Sequence, residues 1–132
     1  MRVVLITLLS LFGVCSVEAA VVKVTEAGDT TYYVDSDTIV RKDGIQRVSV
    51  VHDHAKPEAG GVRSRRVVYE IDCSGERLKS ISATEHSEPM AQGSAVHSWQ
   101  RDSDWLYVTP MTGSSIPART PYRPIVKFVC SR

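Results

Sequence analysis

The segment Val67-Val68-Tyr69-Glu70-Ile71-Asp72-Cys73 shows the clearest alternation of apolar and polar side chains in the chain. Because successive side chains of a strand point to opposite faces, its odd-numbered residues share one face. We expect this face to point into a core, with Cys73 turned inward at its end. The segment therefore predicts a strand over residues 62–73 that is buried on one side.

Runs rich in β-branched and aromatic residues lie on both sides of this segment, and Asp43-Gly44 separates two of them. Asp-Gly is a strong hairpin signal because both central residues of a type I′ turn need positive φ. Near the C-terminus, apolar residues recur at helical spacing instead, and Pro124 suits a first helical turn. The predicted fold is α+β and mainly β, with a single antiparallel sheet of about six strands and a short helix over residues 122–129. The candidate strands span residues 21–25, 30–35, 37–41, 45–54, 62–73, 77–84, 95–99 and 105–109.

Residues 1–19 have the features of a secretory signal peptide. Met1-Arg2 is positively charged, residues 3–14 are almost wholly apolar, and Val17-Glu18-Ala19 offers small residues for cleavage after Ala19. Val14 is a poor match for the position before a lipid-modified cysteine, which argues against lipidation of Cys15. We therefore expect one exported domain, residues 20–132, in the periplasm or at the cell surface, with no membrane-spanning segment.

Cleavage at this point leaves Cys73 and Cys130 as the cysteines of the mature domain. An exported domain with two cysteines is expected to join them in a disulfide. This bond would tie the run Tyr69-Glu70-Ile71-Asp72-Cys73 to the extreme C-terminus. The chain-entropy model assigns such a closure about 4 kcal/mol of stability.

Charge and size limit the functions that the chain can have. The formal net charge is +1, which argues against binding to nucleic acid or to anionic membranes in general. The mature chain would be about 113 residues, the size of one ordinary domain. A charged partner would therefore have to be recognised by a local patch of side chains.

Two clusters indicate contact with another protein. The run Arg63-Ser64-Arg65-Arg66 is the densest basic cluster, and tryptophan, tyrosine and arginine, which are enriched at interface hot spots, recur over residues 99–107. More ordinary interpretations are a charged strand end that discourages edge pairing and tryptophans that fill the core. The predicted protein-binding surface comprises Arg63, Arg65, Arg66, Trp99, Arg101, Trp105 and Tyr107.

His52 and His54 lie two residues apart, so they share a strand face and could supply two metal ligands. A zinc site needs three or four ligands, and bridged cysteines would supply none. The chain also lacks a Gly-x-Ser-x-Gly nucleophile motif. We therefore expect no metal, no cofactor and no enzymatic activity, with the two histidines as weak metal candidates.

Several short motifs follow one another in a fixed order: Tyr33-Val34-Asp35, Asp53-x-x-Lys56-Pro57, residues 69–73, Pro89-Met90-x-x-Gly93 and Val129-Cys130. In this order the chain resembles the bacterial surface-adhesin protein E family over nearly all of the mature domain. The resemblance implies an antiparallel sheet packed against a disulfide-held C-terminal helix, no catalysis, and attachment to host surface or extracellular-matrix proteins. Prolines at 117, 121 and 124 should shorten the helix.

The first hypothesis is thus an exported binding protein that contacts a host extracellular-matrix or cell-envelope protein. The alternative is a periplasmic accessory or structural protein with no host ligand, and a weaker alternative is a periplasmic metal-binding protein. An exposed sheet edge would also allow a homodimer.

Overall fold

The computed structural model describes residues 20–108 and 121–132; the predicted signal peptide and Cys15 lie outside these ranges. The described residues form one antiparallel sheet in chain order, β1 to β6, with the two-residue strand β7 paired to β5. One α-helix, α1 (Tyr122–Cys130), follows within the described part of the chain. No described helix is long and apolar enough to cross a membrane. The strands are β1 (Val21–Ala27), β2 (Thr30–Lys42), β3 (Ile45–Glu58), β4 (Val62–Asp72), β5 (Arg77–His86), β6 (Ala95–Gln100) and β7 (Leu106–Tyr107).

The predicted Asp-Gly hairpin is confirmed between β2 and β3. Asp43 and Gly44 have φ angles of 52° and 76°, the positive values that a type I′ turn requires. Lys42 and Ile45 pair directly across the turn. This turn sets the register of Val40–Lys42 against Ile45–Arg47, and a register shift between Asp35 and Val40 sets the register of the rest of the hairpin.

The core lies on one face of the sheet, under α1. The predicted inward positions of β4 are confirmed: Val67 and Tyr69 are each 5% exposed and Ile71 is fully buried. The buried side of α1, formed by Ile125, Val126 and Val129, belongs to the same apolar cluster. We call the face that α1 covers in part the inner face and the opposite face the outer face.

The predicted disulfide is confirmed. Cys73 and Cys130 are bonded, with their Cα atoms 5.7 Å apart. Cys73 directly follows β4, and Cys130 is the last residue of α1. The bond therefore joins the end of the central strand to the end of the helix that closes the core.

The predicted strand bounds differ most from the structure in β2 and β3. The expected break at Ser36 is a register shift within β2, between Asp35 and Val40. The Thr38 hydroxyl donates to the Asp35 carbonyl at 2.7 Å, and the Ser49 amide donates to Thr38 Oγ1 at 2.8 Å, so side chains complete the bonds that the shift interrupts. β3 also continues past Pro57 to Glu58, because Pro57 lies in a second register shift where no ladder bond is needed.

Ser64 holds the turn Pro89–Ala91 against the outer face. Its hydroxyl, fully buried, donates to the Glu88 carbonyl at 2.5 Å and accepts from the Ala91 amide at 2.8 Å. The turn needs this support because Met90 and Ala91 have φ angles of 58° and 55°, which are costly for residues with a Cβ.

We expect Ser64→Ala to lower the free energy of unfolding by about 2 kcal/mol, because it removes a buried hydroxyl that bonds both the Glu88 carbonyl and the Ala91 amide. Urea denaturation followed by circular dichroism measures the change. Ser98→Ala is the control, since Ser98 is exposed and makes a single long hydroxyl contact of 3.4 Å. An equal loss in both variants would contradict the role of Ser64.

Candidate functional site

A pocket of about 430 Å3 opens on the inner face, next to the first residue of α1. Its buried floor combines His52 and His54 from β3, Val67 and Tyr69 from β4, and Ala83 from β5. We call it the inner-face pocket. It brings together side chains from β2 to β6 and from α1, among them four aromatic residues and two histidines.

The alternation of β3 explains why the pocket is polar at one end of an apolar face. Val48, Val50, His52 and His54 follow one another at a spacing of two, so all four point inward. The valines belong to the core cluster that includes α1, whereas the histidines line the pocket. The first part of β3 therefore contributes side chains to the core, and the part that follows contributes side chains to the pocket.

His52 is held in the floor by aromatic neighbours. Its Nε2 lies 3.1 Å from the Tyr69 hydroxyl, and its ring centroid is 4.7 Å from that of Tyr32. Burial lowers the pKa of His52 to about 4, with help from the positive charge of Arg65 and from His54. Burial raises the pKa of the Tyr69 hydroxyl. Both groups are therefore neutral at physiological pH.

A chain of charged groups forms the rim. Arg65 Nη2 donates to Glu58 Oε2 at 2.6 Å, and Arg65 Nε donates to Glu85 Oε1 at 2.8 Å. Glu58 Oε1 lies 3.7 Å from Nε2 of the buried His54, whose Nδ1 is 3.0 Å from Thr30 Oγ1. Two carboxylates thus share one guanidinium at the mouth of the pocket.

Aromatic side chains form the walls. Tyr122 meets Tyr69 edge to face, with ring centroids 6.2 Å apart. Trp99 projects from β6, the edge strand, with 39% of its surface exposed and the His97 ring 5.5 Å away. The pocket can therefore present π faces and hydrogen-bonding groups to a ligand at the same time.

The structure brings together only part of the predicted protein-binding surface. Arg65 and Trp99 both line the inner-face pocket. Arg66 lies on the outer face, where its Nη1 is 3.6 Å from Asp35 Oδ2. Arg63 is the second residue of β4, and its buried Nε has no hydrogen-bond partner in the described part of the chain. Arg101 is exposed after β6.

The remaining two members of that surface lie with Arg77. Its guanidinium carbon is 4.4 Å from the Trp105 ring centroid and 5.8 Å from that of Tyr107. Arg77 also bonds Asp72 across the strands on the outer face, at 2.9 Å. Neither tryptophan belongs to the buried core. Trp99 and Trp105 thus face different environments on opposite sides of the sheet.

Two other features of the described residues bear on the choice of site. No group of three or more His, Cys, Asp or Glu side chains among them is arranged to hold a metal ion. A wider cleft of about 1040 Å3 lies between α1 and β1, around Cys73 and Cys130. Its described lining includes no aromatic or histidine side chain, so we take the inner-face pocket as the candidate site.

Comparison with known proteins decides the family. The sequence model of the family described as "Surface-adhesin protein E" matches residues 21–131, nearly the whole mature domain. The chain belongs to the surface-adhesin protein E family. It is therefore related to surface adhesins, as the order of its motifs predicts. A search of curated proteins finds no match to this sequence.

Solved structures of Haemophilus influenzae protein E share the fold of this adhesin-family chain. Crystal form II has a TM-score of 0.63 and 20% sequence identity, and the match covers 88% of this chain and 91% of that one. The selenomethionine form also has a TM-score of 0.63 and 20% identity, over 89% and 90% of the two chains. At this identity the likeness shows the architecture alone.

Of the twelve described residues that line the pocket in this member of the surface-adhesin protein E family, sequence reasoning named only His52, His54, Arg65 and Trp99 as candidates. Tyr32, Glu58 and Tyr122 were not predicted as site residues, although each lines it. Tyr32 pairs with His52 across β2 and β3, but the register shift between Asp35 and Val40 separates this pair from the Asp43-Gly44 turn. Counting outward from the turn would therefore have placed Asp35 opposite His52. No local signal marks Tyr122 either, because it belongs to a helix that is distant in sequence.

Proposed function

We propose that this protein is an exported, non-enzymatic adhesin that contacts a protein of the host surface or extracellular matrix through the mouth of the inner-face pocket. Membership of the surface-adhesin protein E family supports the general role. The observation that carries the proposed surface is the placement of a half-exposed tryptophan, Trp99, beside the Arg65 ion pairs. Tryptophan and arginine dominate the energetics of protein interfaces.

The edge strand adds to this argument. β6 pairs only with β5 within the described sheet, and all six of its residues are exposed. The edge of β6 that faces away from β5 can accept an extended segment of a partner by backbone hydrogen bonding. Trp99 is therefore in a position to contact the side chains of such a segment.

We expect Trp99→Ala to weaken binding of the purified mature protein to immobilised epithelial extracellular matrix by about tenfold or more, the effect of losing a hot-spot side chain. Trp105→Ala, the same substitution near the outer-face Arg77, should leave binding within about twofold. Biolayer interferometry measures both, and the melting temperatures show whether each variant is folded.

Neighbouring arginines provide a second matched pair. Arg65→Ala should weaken binding, whereas Arg66→Ala, which removes a side chain from the outer face, should not. Equal effects within both pairs would contradict the proposed surface. No binding of the wild-type protein to matrix would overturn the adhesin role and leave a periplasmic accessory protein.

A further inference from the structure

The floor of the inner-face pocket contains a buried polar atom without a hydrogen bond. His54 is 5% exposed, and its Nε2 has no hydrogen-bond partner within residues 20–108 and 121–132. The other ring nitrogen, Nδ1, lies 3.0 Å from Thr30 Oγ1. If Nδ1 carries the proton and donates it to Thr30, Nε2 has an unused lone pair on a side chain that lines the pocket. A ligand that donates a hydrogen bond would satisfy this atom.

The charge around this atom is negative overall. Arg65 is the guanidinium shared by Glu58 and Glu85, so one positive charge stands against two negative ones. Arg65 engages Glu58 through Oε2, and Glu58 Oε1 lies 3.7 Å from His54 Nε2. Two acceptor atoms are therefore close enough for one donor group to reach both.

Aromatic side chains line the same pocket as these two acceptors. Tyr32, Trp99 and Tyr122 line the pocket together with Tyr69 in its floor. Aromatic faces attract cations through their quadrupole, and tryptophan does so most strongly. A cationic ligand would gain this attraction in addition to the two hydrogen bonds.

We propose that the inner-face pocket binds a primary ammonium group, which donates hydrogen bonds to His54 Nε2 and Glu58 Oε1. An ammonium carries three donors on one atom, so a single nitrogen can bridge two acceptors 3.7 Å apart. The natural occupant is a lysine side chain of a protein partner, and this part of the inference rests on the proposed function. Binding of the ammonium itself does not depend on it.

A carboxylate or an apolar group fits the pocket less well than an ammonium group. A carboxylate would be repelled by Glu58 and Glu85, and Arg65, the positive charge that lines the pocket, already engages both of them. An apolar group would leave His54 Nε2 without a hydrogen bond at a buried position.

Small probes test the pocket without a macromolecular partner. The chain has two tryptophans, so Trp105→Phe leaves Trp99 as the fluorescent reporter. In this background, Nα-acetyl-lysine amide at about pH 8, where its ammonium remains charged, should change the fluorescence saturably with a dissociation constant of about a millimolar. Nα-acetyl-norleucine amide, which lacks the ammonium, should bind at least tenfold more weakly, as should glutarate.

A matched pair of charge variants locates the binding. Glu58→Gln, at a side chain that is 42% exposed, should weaken binding of the lysine probe at least fivefold. Glu70→Gln removes the same charge from the outer face, where Glu70 meets Arg47 and Lys79, and should change binding less than twofold. Melting temperatures of both variants should stay within a few degrees of the parent, since both side chains lie in exposed or half-exposed ion pairs.

Three results would overturn the proposal: no saturable response to the lysine probe, equal binding of the lysine and norleucine probes, or equal effects of the two charge variants. Tighter binding of glutarate would assign the pocket to anions instead. If the protein binds the lysine probe but does not bind extracellular matrix, the ammonium site is supported and the adhesin role is contradicted. The two proposals therefore fail separately.

Discussion

A protein in which Cys73 and Cys130 are both replaced by alanine is expected to lose about 4 kcal/mol of unfolding free energy and to melt roughly 15–20 °C lower. The bond spans 57 positions of sequence, so it removes a large amount of loop-closure entropy from the unfolded chain. Typical domains have net stabilities of about 5–15 kcal/mol. The disulfide thus decides whether this domain stays folded under stress.

The size of the effect also follows from what the bond holds in place. α1 has nine residues, fewer than the roughly 12–15 that an isolated helix needs to be even marginally stable in water. Its stability comes from packing Ile125, Val126 and Val129 into the core. Without the disulfide, the end of α1 is not held near β4 in the unfolded chain. More conformational entropy is then lost on folding, when α1 packs against the sheet.

Denaturation with and without reductant isolates the contribution of the bond. Reductant should lower the urea midpoint of the wild-type protein toward that of the Cys73→Ala, Cys130→Ala variant and leave the variant itself unchanged. An alkylating reagent applied without reduction should label no cysteine of the folded mature protein. Labelling of Cys73 in the unreduced protein would refute the prediction. A urea midpoint of the wild-type protein that does not change with reductant would also refute it.

The fold was predictable where the information is local. The alternation of residues 67–73, the Asp43-Gly44 turn and the helical spacing after Pro121 are each read within a few residues, and the structure has all three features. The lengths of β2 and β3 were missed because side-chain bonds from Thr38 and the position of Pro57 keep the sheet intact across irregular positions. Such compensation depends on the neighbouring strand.

The site was less predictable because it is assembled across the sheet. Period-two counting assigns a face within one strand, but residues 101–105 between β6 and β7 are not in a strand, so the count cannot be carried from Trp99 to Trp105. The two tryptophans consequently contact different residues. The surface that was predicted as one from the sequence is divided between the two faces of the sheet. Tyr122 joins the pocket only through the packing of α1, which no local pattern encodes.

Lowering the pH from 7 to 5 is expected to cost this protein about 2 kcal/mol of stability through His52 alone, rising to about 3 kcal/mol at pH 4. Burial, with the nearby positive charge of Arg65, lowers the pKa of His52 from 6.5 to about 4. The unfolded chain takes up a proton on this imidazole near pH 6.5, whereas the folded chain resists protonation until about pH 4. The unfolded state therefore gains relative stability as the pH falls through this window.

Stability falls at low pH because the folded protein favours the neutral form of the His52 imidazole. Above pH 7 the imidazole is neutral in both states and contributes no pH dependence, so the loss is confined to the interval between the two pKa values. The structural cause is the position of His52 between Tyr32 and Tyr69, where its Nε2 can accept a hydrogen bond from the Tyr69 hydroxyl. A protonated ring would carry a charge at a site that is 9% exposed.

Comparison of His52→Gln with the wild-type protein separates this histidine from other groups that titrate in the same range. The quantity to measure is the change in urea unfolding free energy between pH 7 and pH 5, which should be about 2 kcal/mol smaller in His52→Gln even if the variant is less stable at both values. His97→Gln, at an exposed position of β6, should retain the full wild-type change. Equal pH dependence of the wild-type protein and His52→Gln would show that His52 is protonated as readily in the folded pocket as in the unfolded chain.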